Sequence, residues 1–182
     1  MSFRFLLVTL AALTSVNANA DTVPHNLAGG DFTQNWTTTT LVTANDNWSV
    51  VPSVTGFLGQ DLTAVTGTNP QTLLGVSAVV NDLDVIANQT NPNTLTAGGV
   101  AEFDSITNPT IALQGSGTAD APYLLITLNT SARQSVRVQY NLRDIDGSAD
   151  NAVQPVALQY RIGNSGNFTD LPTGFFTDAS TG

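Results

Sequence analysis

The composition of this chain excludes several classes of protein before any motif is considered. It has 182 residues with no Cys, 14 acidic residues against five basic ones, and a formal net charge of −9 at pH 7. Disulfides, thiolate metal sites and cysteine nucleophiles are therefore excluded, and the charge argues against nucleic-acid binding through a basic surface.

The first twenty residues have the pattern of a secretory signal peptide. Arg4 supplies the positive charge, residues 5–13 form an apolar run too short to span a bilayer, and residues 18–20 are a small-x-small cleavage site. We therefore expect residues 1–20 to be removed and the mature bacterial protein to be secreted or held at the cell surface, with no membrane span. Residues 21–30 are expected to be a flexible leader, since Pro24 and the Gly29-Gly30 pair act as breakers.

Residues 31–182 are predicted to form one all-β domain. Short apolar runs alternate with Gly, Asn-Pro and Asp-Gly turns at a spacing of about ten residues, and no run sustains a helical period over three turns. The pattern favours an antiparallel β-sandwich of the jelly-roll type, truncated before its last strand or strands. Predicted strands are 31–36, 41–43, 48–51, 62–65, 72–76, 84–87, 100–105, 110–115, 123–129, 135–144, 155–163 and 167–171.

The most regular alternation lies between residues 135 and 163. Val136, Val138, Tyr140 and Leu142 share one face of the first run, and the second run from 155 to 163 repeats the pattern. A period of two indicates half-buried strands, so we expect these runs to pair antiparallel with that face in the core.

The loop between these runs concentrates carboxylates. Asp144, Asp146 and Asp150 surround Gly147, and calcium binds six to eight oxygen ligands of this kind. The loop is not an EF-hand, because its first and last ligand positions would be Leu142 and Val153. Two interpretations stay open: a looser calcium site, and a hairpin tip whose Asp side chains cap backbone amides.

A second candidate contact is Trp48, which lies between Asn47 and Ser49 in a turn-rich stretch. If it is exposed, it offers an aromatic face for a glycan, whereas packing in the core is the alternative. Glu102 and Asp104 share one face of a predicted strand, where a solvated surface is a simpler interpretation than a catalytic acid pair. The lone His25 lies in the leader, where it is poorly placed to act as a catalytic base.

The segment NLRDIDGSADNAVQPVALQYRIGNSGNFTDLPTGF at 141–175 resembles an N-terminal β-module of bacterial secreted multidomain proteins. FTQNW at 32–36 and NDNWSVVPSVTGF at 45–57 are similar as well. Such modules occur in extracellular endonuclease/exonuclease/phosphatase-type nucleases and in lamin-tail-containing surface proteins. The resemblance implies a module and not an activity, because the catalytic domain that follows in the nucleases is absent from this sequence.

The sequence therefore predicts a non-catalytic, secreted or cell-surface β-sandwich module. It would present polar loops, stabilised by calcium, to an extracellular ligand such as a glycan or matrix. The alternative is the accessory N-terminal part of a secreted nuclease or phosphodiesterase whose catalytic domain lies elsewhere. A structural spacer without a ligand is the third interpretation.

Overall fold

The computed structural model describes residues 20–147 and 153–180, and these residues form an all-β structure, as predicted. They include no α-helix, and none of them belongs to a helix that is long and apolar enough to cross a membrane. Nine short strands are present in this part of the chain. They are β1 (His25–Asn26), β2 (Val54–Phe57), β3 (Ile86–Gln89), β4 (Gly99–Phe103), β5 (Thr110–Gln114), β6 (Tyr123–Ile126), β7 (Leu128–Asn129), β8 (Gln159–Tyr160) and β9 (Thr169–Asp170).

Across the described residues, the strands pair into four small sheets. The largest has the order β3-β4-β5, in which β4 pairs parallel with β3 and antiparallel with β5. β2 pairs antiparallel with β6, which sets Phe57 opposite Tyr123. β1 pairs parallel with β7, and β8 pairs antiparallel with β9. Two of these pairings are parallel, although the sequence pattern predicted an antiparallel fold.

The core gathers around Trp48 and β4. All five residues of β4 are buried, so this strand has no solvated face. Apolar burial is the main favourable term in folding, and it matters more here because the chain has no disulfide. The buried cluster consists of Val42, Trp48, Val51, Val54, Val85, Ala87 and Val100.

β2 is a strand that the sequence pattern missed, because the prediction placed a strand at 48–51 instead. Residues 48–51 form a turn, in which the Val51 amide donates to the Trp48 carbonyl oxygen at 3.1 Å. The strand comes three residues later, over VTGF, where the glycine breaks the pattern of apolar side chains. Gly56 is required there because a Cβ atom would overlap the Trp48 indole and the Asp84 carbonyl oxygen.

The predicted antiparallel pair of 135–144 with 155–163 is wrong. Residues 135–144 form no strand, and their Val136 and Val138 side chains are about half exposed. Residues 156–160 pair instead with the segment 169–176 that follows them, through the β8–β9 ladder and a bridge between Val156 and Phe176. An alternating pattern identifies which face of a strand is apolar, but it does not identify the partner strand.

The segment predicted to be a leader is joined to the rest of the structure. β1 pairs with β7, the Asp21 carboxylate accepts from the Ser53 amide at 3.2 Å, and the Ser53 hydroxyl donates to the Val23 carbonyl oxygen at 2.8 Å. The His25 Nε2 atom lies 3.0 Å from the Gly30 carbonyl oxygen.

The other predicted strands divide into two groups. Strands lie within or overlapping the predicted ranges 84–87, 100–105, 110–115, 123–129, 155–163 and 167–171. Four further predicted ranges contain turns or irregular backbone, because their short apolar runs find no partner to pair with. These are 31–36, 41–43, 62–65 and 72–76.

Replacing Gly56 with alanine tests the packing of the core. Gly56→Ala should lower the free energy of unfolding by about 1–3 kcal/mol, because the new methyl group must displace the buried indole or the backbone of Asp84. Gly117→Ala is the matched control, since nothing lies within 4 Å of a Cβ atom at that position. Urea unfolding of both variants measures the difference, and equal stability of the two would contradict this packing.

Candidate functional site

The predicted calcium loop is described only in part. The Asp144 Oδ1 atom accepts from the Asp146 amide at 2.9 Å, which is an Asx-turn, and the Gly147 amide donates to Asn93 Oδ1 at 2.8 Å. Asp150 lies outside the described residues. Among residues 20–147 and 153–180, no group of three His, Cys, Asp or Glu side chains is arranged to hold a metal ion. The calcium site therefore stays a prediction.

Trp48 is buried, so the prediction that it contacts a ligand is wrong. Its side chain is 0% exposed, and its Nε1–H donates to the Asp84 carbonyl oxygen at 3.0 Å. The Trp36 ring packs edge-on against it, with the ring centroids 6.4 Å apart. The turn that places Asn47 and Ser49 at the surface directs the indole into the core, where it offers no face to a glycan.

A different cleft is lined by half-buried aromatic rings. Phe57 on β2 and Tyr123 on β6 are opposite each other in the ladder, and their rings stack with centroids 4.9 Å apart and planes 13° from parallel. On the other side the Arg161 guanidinium lies over the Phe168 ring, 4.5 Å from its centroid. We call this the Tyr123 cleft. It has a volume of about 340 Å³, and Ser77, Asn81 and Asp82 are among its other lining residues.

The surroundings of Tyr123 in the cleft raise the pKa of its phenol. Burial and, less strongly, the nearby charge of Asp82 raise the pKa of Tyr123 to about 12, while Arg161 acts in the opposite direction. The phenol is therefore a neutral hydrogen-bond donor throughout the physiological range. The Arg161 guanidinium donates to the Gly166 carbonyl oxygen at 3.1 Å and forms no ion pair with a described carboxylate.

Asp82 is the most constrained polar group of the cleft. Its side chain is 7% exposed, and its Oδ2 atom accepts from the Gly59 amide at 3.0 Å. Its Oδ1 atom is buried without a hydrogen-bond partner among the described residues. A buried carboxylate oxygen without a donor is costly, and such groups are frequent at functional sites.

Two further carboxylates, one half-buried and one buried, accept from the backbone near the core. Asp84 Oδ2 accepts from the Val100 amide at 2.5 Å, and Glu102 Oε2 accepts from the Asn88 amide at 2.8 Å. Glu102 is buried on β4, although the sequence pattern predicted a solvated face for it. Its acceptor role coincides with the register shift between β3 and β4, where Asn88 has a positive φ of 56°. Both donor amides belong to the three-stranded sheet, Val100 to β4 and Asn88 to β3.

No family, curated protein or solved structure matches this chain. The resemblance to a module of secreted nucleases and lamin-tail-containing proteins therefore stays a prediction, and so does the alternative of an accessory part of a nuclease.

Sequence reasoning missed the Tyr123 cleft. Its parts come from β2, the stretch around residue 82, β6 and the segment 161–168, so no local motif contains them. One signal was present: Tyr123 begins one predicted strand, and Arg161 lies within another. That signal does not say that the two residues lie near one another.

The pH dependence of stability should reveal the half-buried Asp84. Burial raises the pKa of Asp84 above its ordinary value of 3.8, and the charges of Asp46 and Asp82 add to the effect, while the Val100 amide opposes it. The folded state then binds this proton more tightly than the unfolded chain does. Consequently, this group's contribution to the free energy of unfolding is complete below 3.8 and is lost as pH rises through the higher pKa of the folded state.

The variant Asp84→Asn isolates this effect, because the amide oxygen can still accept from Val100 and no longer titrates. Relative to the variant, the native protein should lose stability as pH rises from 3.8 through the higher pKa of the folded state. Urea unfolding across this range gives the difference. A difference that is constant with pH, or that favours the native protein at the higher pH, would contradict the assignment.

Proposed function

We propose that this chain is a secreted, non-catalytic β-sandwich module of the jelly-roll type that binds a saccharide in the Tyr123 cleft. The observation that carries the proposal is the juxtaposition of aromatic rings and polar groups in one cleft. Phe57, Tyr123 and Phe168 contribute rings, while Asp82 and Arg161 contribute charge. Extracellular presentation follows from the signal-peptide pattern of residues 1–20.

The chemistry of a sugar fits this lining. The C–H face of a pyranose packs on aromatic rings, and its hydroxyls need both donors and acceptors at the edge. Arg161 and the Tyr123 hydroxyl are donors, while Ser77 and Asn81 can both donate and accept. A guanidinium held over an aromatic ring, without a carboxylate partner, keeps its remaining N–H groups available for a ligand.

Binding is a better interpretation than hydrolysis for this cleft. Glycosidases act through two carboxyl groups that flank the glycosidic bond. Among the described residues that line the Tyr123 cleft, Asp82 is the single carboxylate, and one of its oxygens already accepts from the Gly59 amide. The second Asp82 oxygen is buried, which suits a structural or hydrogen-bonding role more than proton transfer to a substrate.

A glycan array followed by calorimetric titration of the strongest ligand tests the proposal. Arg161→Gln should weaken binding at least about tenfold, because a charge-assisted hydrogen bond contributes about 1.5–3 kcal/mol. Arg137→Gln is the matched control. It is the same substitution at a position outside the cleft, so it should leave the affinity for the saccharide unchanged.

A second variant separates the aromatic contribution. Tyr123→Phe keeps the ring that stacks on Phe57 and removes the hydroxyl, so it should reduce affinity while the melting temperature changes little. The proposal would be overturned if no saccharide binds a well-folded sample, or if Arg161→Gln and Arg137→Gln bind equally well.

The proposal includes calcium at the Asp loop. Asp144 and Asp146, together with Asp150, would supply carboxylate oxygens around the Gly147 turn. The Asx-turn places the Asp144 carboxylate against the backbone amide of Asp146. Calcium bound there would stabilise the long connection between residue 144 and the β8 strand, which no disulfide restrains.

Added calcium should raise the melting temperature of the native protein in proportion to the logarithm of its concentration above the Kd. Asp146→Ala should abolish that rise. Asp31→Ala removes one carboxylate from an exposed position and serves as the matched control. If millimolar calcium leaves the melting temperature of the native protein unchanged, the Asp side chains only cap backbone amides in the turn.

A further inference from the structure

The segment from residue 134 to residue 142 has backbone N–H and C=O groups that are not paired with the backbone of the other described residues. Within the described residues, none of its N–H or C=O groups takes part in a backbone–backbone hydrogen bond. The segment begins after the turn closed by the Arg133 amide and the Thr130 carbonyl oxygen. Its sequence nevertheless alternates as a strand does, with Val138 52% exposed. We call it the open segment, because its backbone hydrogen bonds are available to another strand.

A groove runs beside the open segment. Val138 and Tyr140 line it on one side, and Leu158 and Phe176 line it on the other, around a volume of about 270 Å³. The Tyr140 hydroxyl donates to the Gly174 carbonyl oxygen at 2.7 Å, which attaches the open segment to the hairpin that carries Phe176. An added strand could therefore form backbone hydrogen bonds and insert alternate apolar side chains into the groove. These are the two components of recognition by strand addition.

The open segment and the two residues that flank it carry most of the positive charge of the chain after residue 20. Three of the four arginines after residue 20 are Arg133, Arg137 and Arg143, while the chain as a whole carries a net charge of −9. Arg133 and Arg143 each donate to a carbonyl oxygen, of Leu27 and Asn108 respectively. Arg137 is exposed and contacts no described carboxylate. A partner strand that carries acidic side chains complements this charge.

Pairing with a second copy of the chain meets a charge penalty in two registers. Antiparallel pairing of two open segments centred on Tyr140 sets Arg137 opposite Arg143 of the other copy, and a register centred on Val138 sets Arg133 opposite Arg143. Like charges directly opposite each other destabilise a sheet, so these two registers are disfavoured. A register centred on Gln139 keeps the arginines apart, and the test below therefore includes the oligomeric state.

We propose that the open segment binds an extended peptide strand of another protein, in which acidic side chains alternate with apolar ones. The apolar side chains enter the groove beside Val138 and Tyr140, and an acidic side chain on the opposite face meets Arg137. The strand spans residues 136–142 and stops before Asp144, whose carboxylate would repel it. This interaction is independent of saccharide binding in the Tyr123 cleft.

A synthetic peptide tests this directly. The probe is a blocked, fluorescently labelled heptapeptide that alternates valine with glutamate, titrated with the full chain by fluorescence anisotropy. The same peptide with lysine in place of glutamate should bind at least about tenfold more weakly, because it meets Arg137 with like charge. A version of the glutamate peptide that is N-methylated at alternate backbone amides should also bind at least about tenfold more weakly, because it cannot form all the backbone hydrogen bonds of the ladder.

Two matched variants of the protein complete the experiment. Gln139→Glu places a negative charge on the open segment and should weaken binding of the glutamate peptide. Gln114→Glu makes the same change at an exposed position on β5 and should leave binding of the glutamate peptide unchanged. Melting temperatures confirm that both fold. Arg137→Glu should make the protein bind the lysine peptide more tightly than the glutamate peptide.

Three results would overturn the proposal. The first is no binding of either peptide at millimolar concentration. The second is equal binding of the glutamate and lysine peptides, which would remove the role of charge. The third is a dimer in sedimentation velocity that the Arg137→Glu variant changes, which would make a second copy the partner of the open segment.

Discussion

The Trp48 indole fills a space that Gly56 leaves open, and the described structure depends on this contact. The indole N–H donates to the Asp84 carbonyl oxygen, while the Asp84 carboxylate accepts from the Val100 amide. One buried ring thus joins the turn at 48–51, the strand β2, the stretch before β3 and the strand β4. Packing of this kind is stiff, since interiors are close-packed and a single added methyl group at residue 56 has no space.

Carboxylates that are buried or half-buried supplement the short ladders by accepting from backbone amides. The strands have two to five residues each, so each ladder is short. Asp82, Asp84 and Glu102 accept from the amides of Gly59, Val100 and Asn88, of which Val100 lies in β4 and Asn88 in β3. Each such bond satisfies a backbone donor at the cost of desolvating a carboxylate. The raised pKa values of Asp84 and Glu102 express this cost.

The two surfaces proposed for binding differ in the chemistry that they offer. The Tyr123 cleft is a concave site with aromatic walls and a few polar groups, which suits a small polar ligand with an apolar face. The open segment offers backbone groups beside an apolar groove, with Arg137 on the opposite side, which suits an extended acidic strand. Because the chemistries differ, a variant at one surface serves as a control for the other.

The amino-acid sequence by itself determined the all-β class and the positions of β4, β5 and β6, because each of these elements is an apolar run that begins directly after a Gly or Pro. Only the tertiary structure decided that Trp48 is buried, that residues 156–160 pair with 169–176, and that Tyr123 meets Asp82 and Arg161. A local pattern records which residues are apolar and where the chain turns. It carries no information on which distant segment will supply the partner, and that choice depends on packing across the whole core.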